Sequence, residues 1–230
     1  MTDAIKIDVW SDIACPWCYI GKRNLESGLE QVAKDDDAPR VEVTFHSFEL
    51  APETPVDFEG SEIDFLAGYK GMPAEEAEQM LAHVTEVAAG SGLPYRFDLV
   101  RHTNTVKAHE LIHFAKAHGR QIEVVERLMR AYFTEGRHIG RVDELVDLAA
   151  EIGLDADGAR EALSSGRYLP DVRRDQEQAR AYGIGGVPFF VIDGAYGVSG
   201  AQPPEAFAQV ARQVWAERRQ QETATAEPAA

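Results

Sequence analysis

Only two of the 230 residues are cysteine, basic residues are outnumbered 23 to 39 by acidic ones, and no apolar run is long. Each scarcity excludes something. Two cysteines cannot build a multi-bridge disulfide framework or a four-cysteine zinc knuckle. A formal net charge of -16 repels phosphate backbones and anionic headgroups, so neither nucleic acid nor a membrane surface is expected as a partner. Runs such as VPFFVI (Val187–Ile192) fall far short of the roughly 18 residues that span a bilayer. The start, MTDAIKIDVWSDIACPWC, lacks a basic segment followed by an apolar one, and a soluble cytoplasmic protein is expected. In a reducing compartment, two close cysteines are more often catalytic or metal-binding than a structural staple.

The 44% hydrophobic content is enough for a core. Ile5, Ile7 and Val9 alternate with Lys6 and Asp8 as in a strand. A helix follows, whose Leu25, Leu29 and Val32 share a face with Cys18. VEVTFHSFEL predicts a second strand near residues 41–47. From about residue 61 to 182 the apolar period is helical, as in Ala108, Leu111, Ile112 and Ala115. GVPFFVIDGAYGVSG then predicts a short hairpin turning at Asp193–Gly194. Pro203–Pro204 opens a last helix with Phe207, Val210, Ala211 and Val214 on one face, and the stretch from Arg218 is expected to be disordered. The fold class is therefore α/β, with an all-helical insertion at residues 61–165 splitting a compact core made of residues 1–60 and 166–217.

Cys15 falls at the tip of the first helix, with Pro16 at the first helical position, where a missing N–H is harmless. Cys15 and Cys18, at i and i+3, lie on one side of the helix within disulfide reach. Free N–H groups and the helix dipole favour a thiolate at Cys15, the more exposed sulfur, while Cys18 points toward the core as the resolving thiol. The alternative is half of a zinc site, which needs two further ligands from histidines or a second chain.

SDIACPWCYIGKR together with YGIGGVPFFVIDGAYGVSGAQ resembles the DsbA-related thioredoxin superfamily, specifically its FrnE-like cytoplasmic branch, and the likeness covers nearly the whole chain. The resemblance implies a thioredoxin-like domain carrying the helical insertion. It also implies a cis-proline at Pro188 opposite the cysteines, with the backbone of Val187 offering strand-edge hydrogen bonds to a substrate. Pro16 and Trp17 would border that substrate. The implied activity is thiol–disulfide exchange through Cys15 and Cys18, with no metal and no organic cofactor. Its partners would be protein or small-molecule thiols and disulfides, reset by a cellular thiol, with glutathione as a candidate co-substrate.

Two other readings compete. HELIH (His109, Glu110, His113) matches the zinc-protease pattern. Lys116 and Gly119 break its metzincin continuation, so a distant residue such as Glu135 would have to supply the third ligand. The second rival is a glutathione-dependent enzyme of the 2-hydroxychromene-2-carboxylate isomerase or kappa-class transferase type. Those typically carry serine at the position of Cys15 and an acidic residue near Ser199–Ala201. Asn104 either lines their cleft or caps the helix that follows. Asp12 is a proton-relay candidate or a cap, Tyr19, Lys22 and Arg23 fit a solvated face, and His46 fits a strand face.

Overall fold

The computed structural model describes residues 4–226. Strand β1 (Ile5–Ser11) runs parallel to β2 (Val41–Ser47) and antiparallel to β3 (Phe189–Ile192), which pairs antiparallel with β4 (Tyr196–Ser199), giving the order β2-β1-β3-β4. A parallel pair needs a crossover, and helix α1 (Pro16–Val32) supplies it. Seven helices lie between β2 and β3: α2 (Glu62–Lys70), α3 (Ala74–Gly90), α4 (Val106–Ala117), α5 (Gln121–Glu135), α6 (Val142–Glu151), α7 (Ala156–Ser165) and α8 (Leu169–Ala181). Helix α9 (Pro204–Ala226) is the last element among the described residues. The architecture is the expected α/β one with a helical insertion.

The alternating residues of β1 are fully buried, and Phe190, Ile192, Leu25 and Phe207 join them in the core. Helices α1 and α9 meet so closely that a Cβ on Gly28 would stand 2.5 Å from the Pro204 carbonyl oxygen and 2.9 Å from Phe207 Cβ. Backbone cannot step aside there as a flexible side chain could. Gly28→Ala is therefore expected to cost about 1–3 kcal/mol by overpacking. The check is a urea titration, where an unchanged midpoint would contradict the close contact.

Three local expectations change. The β3–β4 turn contains Asp193, Gly194 and Ala195 rather than two residues, with Asp193 (φ 56°) and Gly194 (φ 68°) both left-handed. Helix α9 continues to Ala226, past Arg218 where disorder is expected. The Arg218 guanidinium explains part of that, pairing with the Asp193 carboxylate and donating to the Ala4 carbonyl at 3.2 Å, so the helix is tied to the sheet. Residues 227–230 of the expected tail lie outside the described residues. Finally, Tyr19 and Lys22 are buried. Glu126 of α5 accepts from the Tyr19 hydroxyl (2.6 Å), Lys22 Nζ (2.5 Å) and Arg23 Nη2 (2.7 Å), which clamps α1 onto the inserted helices. Those cations hold the Glu126 carboxyl down to about 2 against the upward push of burial.

Candidate active site

Strand β1 ends at Ser11, and the Asp12 carbonyl accepts the Cys15 N–H at 3.2 Å, turning the chain into α1. Cys15 is the extended N-cap, Pro16 follows it as the first helical residue, and the Cys18 N–H donates to the Cys15 carbonyl at 3.0 Å. Both cysteines are free thiols on one helical turn. The other end of the chain meets them. Cys15 Sγ lies 3.7 Å from the Val187 carbonyl oxygen, and the Val187–Pro188 peptide bond is cis. Gly21 allows this approach, since a Cβ there would lie 3.0 Å from Pro188 Cγ.

Cys15 is the more exposed of the two sulfurs, as expected, but the margin is small and both are buried: it is 4% exposed and Cys18 2%. Its position at the helix tip is as expected, and the Val187 carbonyl lies against its sulfur. Burial raises the Cys18 thiol well above its ordinary value, and the adjacent Cys15 adds to that, with the Ser11 hydroxyl and the Asp12 backbone N–H acting in the opposite sense. Cys18 is thus held as a neutral thiol until it reacts.

Cys15 opens onto a cleft of about 360 Å³ between the helix tip and α2–α3. Pro16, Trp17 and Val187 line it, as do Phe65, Leu66, Met80, Leu81 and Val84. A wider groove of about 520 Å³ near the end of α1 and α9 is spanned by ion pairs of its own, Arg212 with Asp35 and Arg219 with Asp37, and holds no thiol.

Several candidates fall elsewhere. Asn104 does not line the cleft, because its Oδ1 accepts the Val106 N–H at the start of α4 and its Nδ2 donates to the Pro52 carbonyl. The capping alternative fits it. Asp12 is buried at the cleft wall, accepting from the Leu50 N–H (2.8 Å) and His109 Nε2 (3.3 Å). Burial would raise its carboxyl, but these bonds hold it below the usual range. The HELIH residues serve separate partners: His109 that carboxylate, Glu110 the Lys107 ammonium, and His113 both Ser47 Oγ and Asp175. Glu135 pairs with Arg127 and Arg130. Among the described residues no three side chains are grouped to hold a metal.

His46 is more than a strand-face histidine. It bridges Asp8 (2.8 Å) and Asp175 (2.9 Å) and stacks on Trp10, whose indole donates to the Asp175 carbonyl. Burial works to lower its pKa, but Asp175 and Asp8 hold it above the ordinary 6.5. A raised folded value contributes stability that is fully present below the unfolded value and lost as pH rises through the folded one. The urea midpoint should fall as pH rises above 6.5 and through the raised folded value, and His46→Gln should flatten that fall. Parallel pH profiles for the two proteins would contradict the assignment.

Sequence reasoning missed Asp175, Tyr95 and the buried pair His102–Glu62 (2.9 Å). The Tyr95 hydroxyl donates to the Pro16 carbonyl at 2.7 Å, fixing the helix tip against the insertion. No local pattern marks these residues, because the partners named here are 40 to 165 positions away.

A four-stranded mixed sheet, a crossover helix that begins at a dithiol, and a cis-proline facing that dithiol place the molecule in the thioredoxin-like class. Residues 6–211 match the DSBA-like thioredoxin domain, and the chain belongs to that family. It is 32% identical over 195 residues to the protein YwbO of Bacillus subtilis, covering 82% of this chain and 86% of that one. Among solved structures it resembles a probable DsbA oxidoreductase from Streptomyces coelicolor, with a TM-score of 0.85 and 40% identity over 93% of this chain and 91% of that one. The cytosolic disulfide reductase DsbM of Pseudomonas aeruginosa, solved with glutathione, shares the fold at a TM-score of 0.64 and 22% identity, over 91% and 98% of the two chains.

Proposed function

We propose that the protein is a cytoplasmic thiol–disulfide oxidoreductase in which Cys15 exchanges with substrate and Cys18 resolves. The carrying observation is the pair of thiols on one turn at the N-terminus of α1, with Cys15 against the Val187–Pro188 segment. In the reducing direction the Cys15 thiolate attacks one sulfur of a substrate disulfide, and the other half leaves as a thiol with one proton. Cys18 then attacks Cys15 in the mixed disulfide, and the second half leaves with the Cys18 proton. Two electrons pass from the protein to the substrate, leaving a Cys15–Cys18 bond, which an external thiol reduces. The opposite direction runs through the same intermediates. The likeness to the cytosolic reductase DsbM of Pseudomonas aeruginosa supports the compartment. The reading is tested by mixing the reduced protein with bis(2-hydroxyethyl) disulfide. Mass spectrometry should find a protein lighter by two hydrogens, with Cys15 joined to Cys18, and a chain that stays reduced would contradict the proposal.

The enclosed apolar cleft beside Cys15 favours a second reading, a glutathione-dependent isomerase or transferase acting on a small molecule. An NMR titration of the fully reduced protein with glutathione separates the two. Saturable micromolar binding by a protein whose Cys15–Cys18 pair does not close in redox buffers supports this enzyme, whereas a pair that closes reversibly supports the oxidoreductase.

A further inference from the structure

We propose that the cleft beside Cys15 holds the uncharged, apolar arm of a low-molecular-weight disulfide, and that this arm selects the substrate. The inference rests on the thiol–disulfide reading above and names its substrate class. Three observations carry it. First, Cys15 is almost wholly covered, yet it lines a cleft of about 360 Å³, a size that suits a small molecule and not the surface of a folded protein.

Second, the walls and the mouth are apolar. Phe65 and Leu66 of α2 face the cleft together with Met80 and Leu81 of α3. Of the seven large apolar side chains that the described fold leaves exposed, three, Trp17, Leu50 and Tyr69, line this one cleft. Scattered exposed apolar groups need no explanation, whereas three on one opening mark a binding site.

Third, the charges disfavour an anionic arm. The acidic residues lining the cleft are Asp12 and Glu62, both buried, and Lys70 is the one lysine or arginine among its lining residues. Glu62 is already paired with His102, and Asp12 with His109. An arm bearing carboxylates, as each half of glutathione disulfide does, would bring further negative charge into a poorly solvated space. A neutral aromatic or aliphatic arm meets no such cost and gains by burial.

The chemistry is that of the proposed function with the arm in place. Cys15 displaces one half of R–S–S–R as RSH and holds the other half as Cys15–S–S–R, with R in the cleft. Cys18 then displaces the second RSH, and the protein is left oxidised by two electrons.

The test is steady-state turnover, driven by dithiothreitol, of three disulfides: a neutral benzyl disulfide, bis(2-hydroxyethyl) disulfide, which lacks an arm, and glutathione disulfide. Each kcat/KM is divided by the rate constant for dithiothreitol alone, which removes intrinsic reactivity. The benzyl compound should exceed bis(2-hydroxyethyl) disulfide at least tenfold, and glutathione disulfide should show no such advantage. Leu66→Ser should reduce the benzyl advantage at least fivefold, and Tyr69→Ser, at an exposed position that does not endanger folding, should reduce it in the same direction. Equal normalised rates for the three, with Cys15–Cys18 cycling normally, would overturn the arm site and leave the oxidoreductase reading intact. If no disulfide is turned over and the pair does not oxidise, both fall.

Discussion

Cys15→Ser should abolish disulfide turnover, while Cys18→Ser should stop it one step later with substrate attached to the protein. The asymmetry follows from geometry. Cys15 is the N-cap of α1 and lines the cleft, so a substrate sulfur can meet it in line, whereas Cys18 lies a turn deeper and is held neutral by burial. Serine at position 15 leaves no thiolate to form the mixed disulfide, and turnover should fall at least 10³-fold, to the rate of the external thiol alone. Serine at position 18 still permits the first attack, so intact-mass analysis should show Cys15 joined to one half of the substrate. Bis(2-hydroxyethyl) disulfide serves as substrate. Two single variants that both retain the native rate would exclude a dithiol mechanism.

Asp175→Ala should be the most damaging change outside the dithiol. The Asp175 carboxylate accepts from the Ser47 N–H (2.8 Å), His46 Nδ1 (2.9 Å) and His113 Nε2 (3.0 Å), joining α8 to β2 and α4 at the strand that flanks β1. Burial pushes this carboxyl up, but the bonds from His113 and His46 prevail and hold it well below the carboxylate range. Removing it leaves three buried polar groups short of a partner, a loss of about 3–5 kcal/mol. That is a large share of the roughly 5–15 kcal/mol that stabilises a typical protein. Asp175→Asn keeps the shape and part of the bonding and should cost less. The sign with pH is fixed by the lowered value: the contribution is present above the unfolded carboxyl pKa near 3.8 and lost as pH falls through the folded one. The gap between the native protein and Asp175→Ala in urea midpoint should therefore be wide at neutral pH and shrink in acid. Equal midpoints at pH 7 would remove the cluster from the stability of the fold.

What could be read in the sequence was local or carried by motif. Alternation at Ile5–Val9 placed β1, and the face shared by Cys18, Leu25 and Val32 oriented α1. Pro16 set the first residue of that helix, and the resemblance carried by CPWC and GVPF together implied the cis bond at Pro188, which the structure contains. What could not be read depends on distant partners. Cys15 lies against Val187, 172 positions away, so the burial of a helix-tip cysteine could not be read from its own segment. Lys22 suited a solvated face until Glu126, 104 residues away, entered its surroundings. HELIH drew attention as a metal pattern because its spacing is correct for one. Its histidines instead serve Asp12 and Asp175, two carboxylates far apart in the chain, which periodicity along a helix cannot reveal.

Equilibrating the protein in glutathione redox buffers, then quenching in acid and alkylating for mass analysis, tests the central claim most directly. The dithiol reading predicts a reversible two-electron transition between a doubly alkylated chain and one carrying a single Cys15–Cys18 bond, with no such transition in Cys18→Ser. A native chain that stays doubly alkylated at every buffer ratio, or that only accumulates glutathione on Cys15, would contradict it.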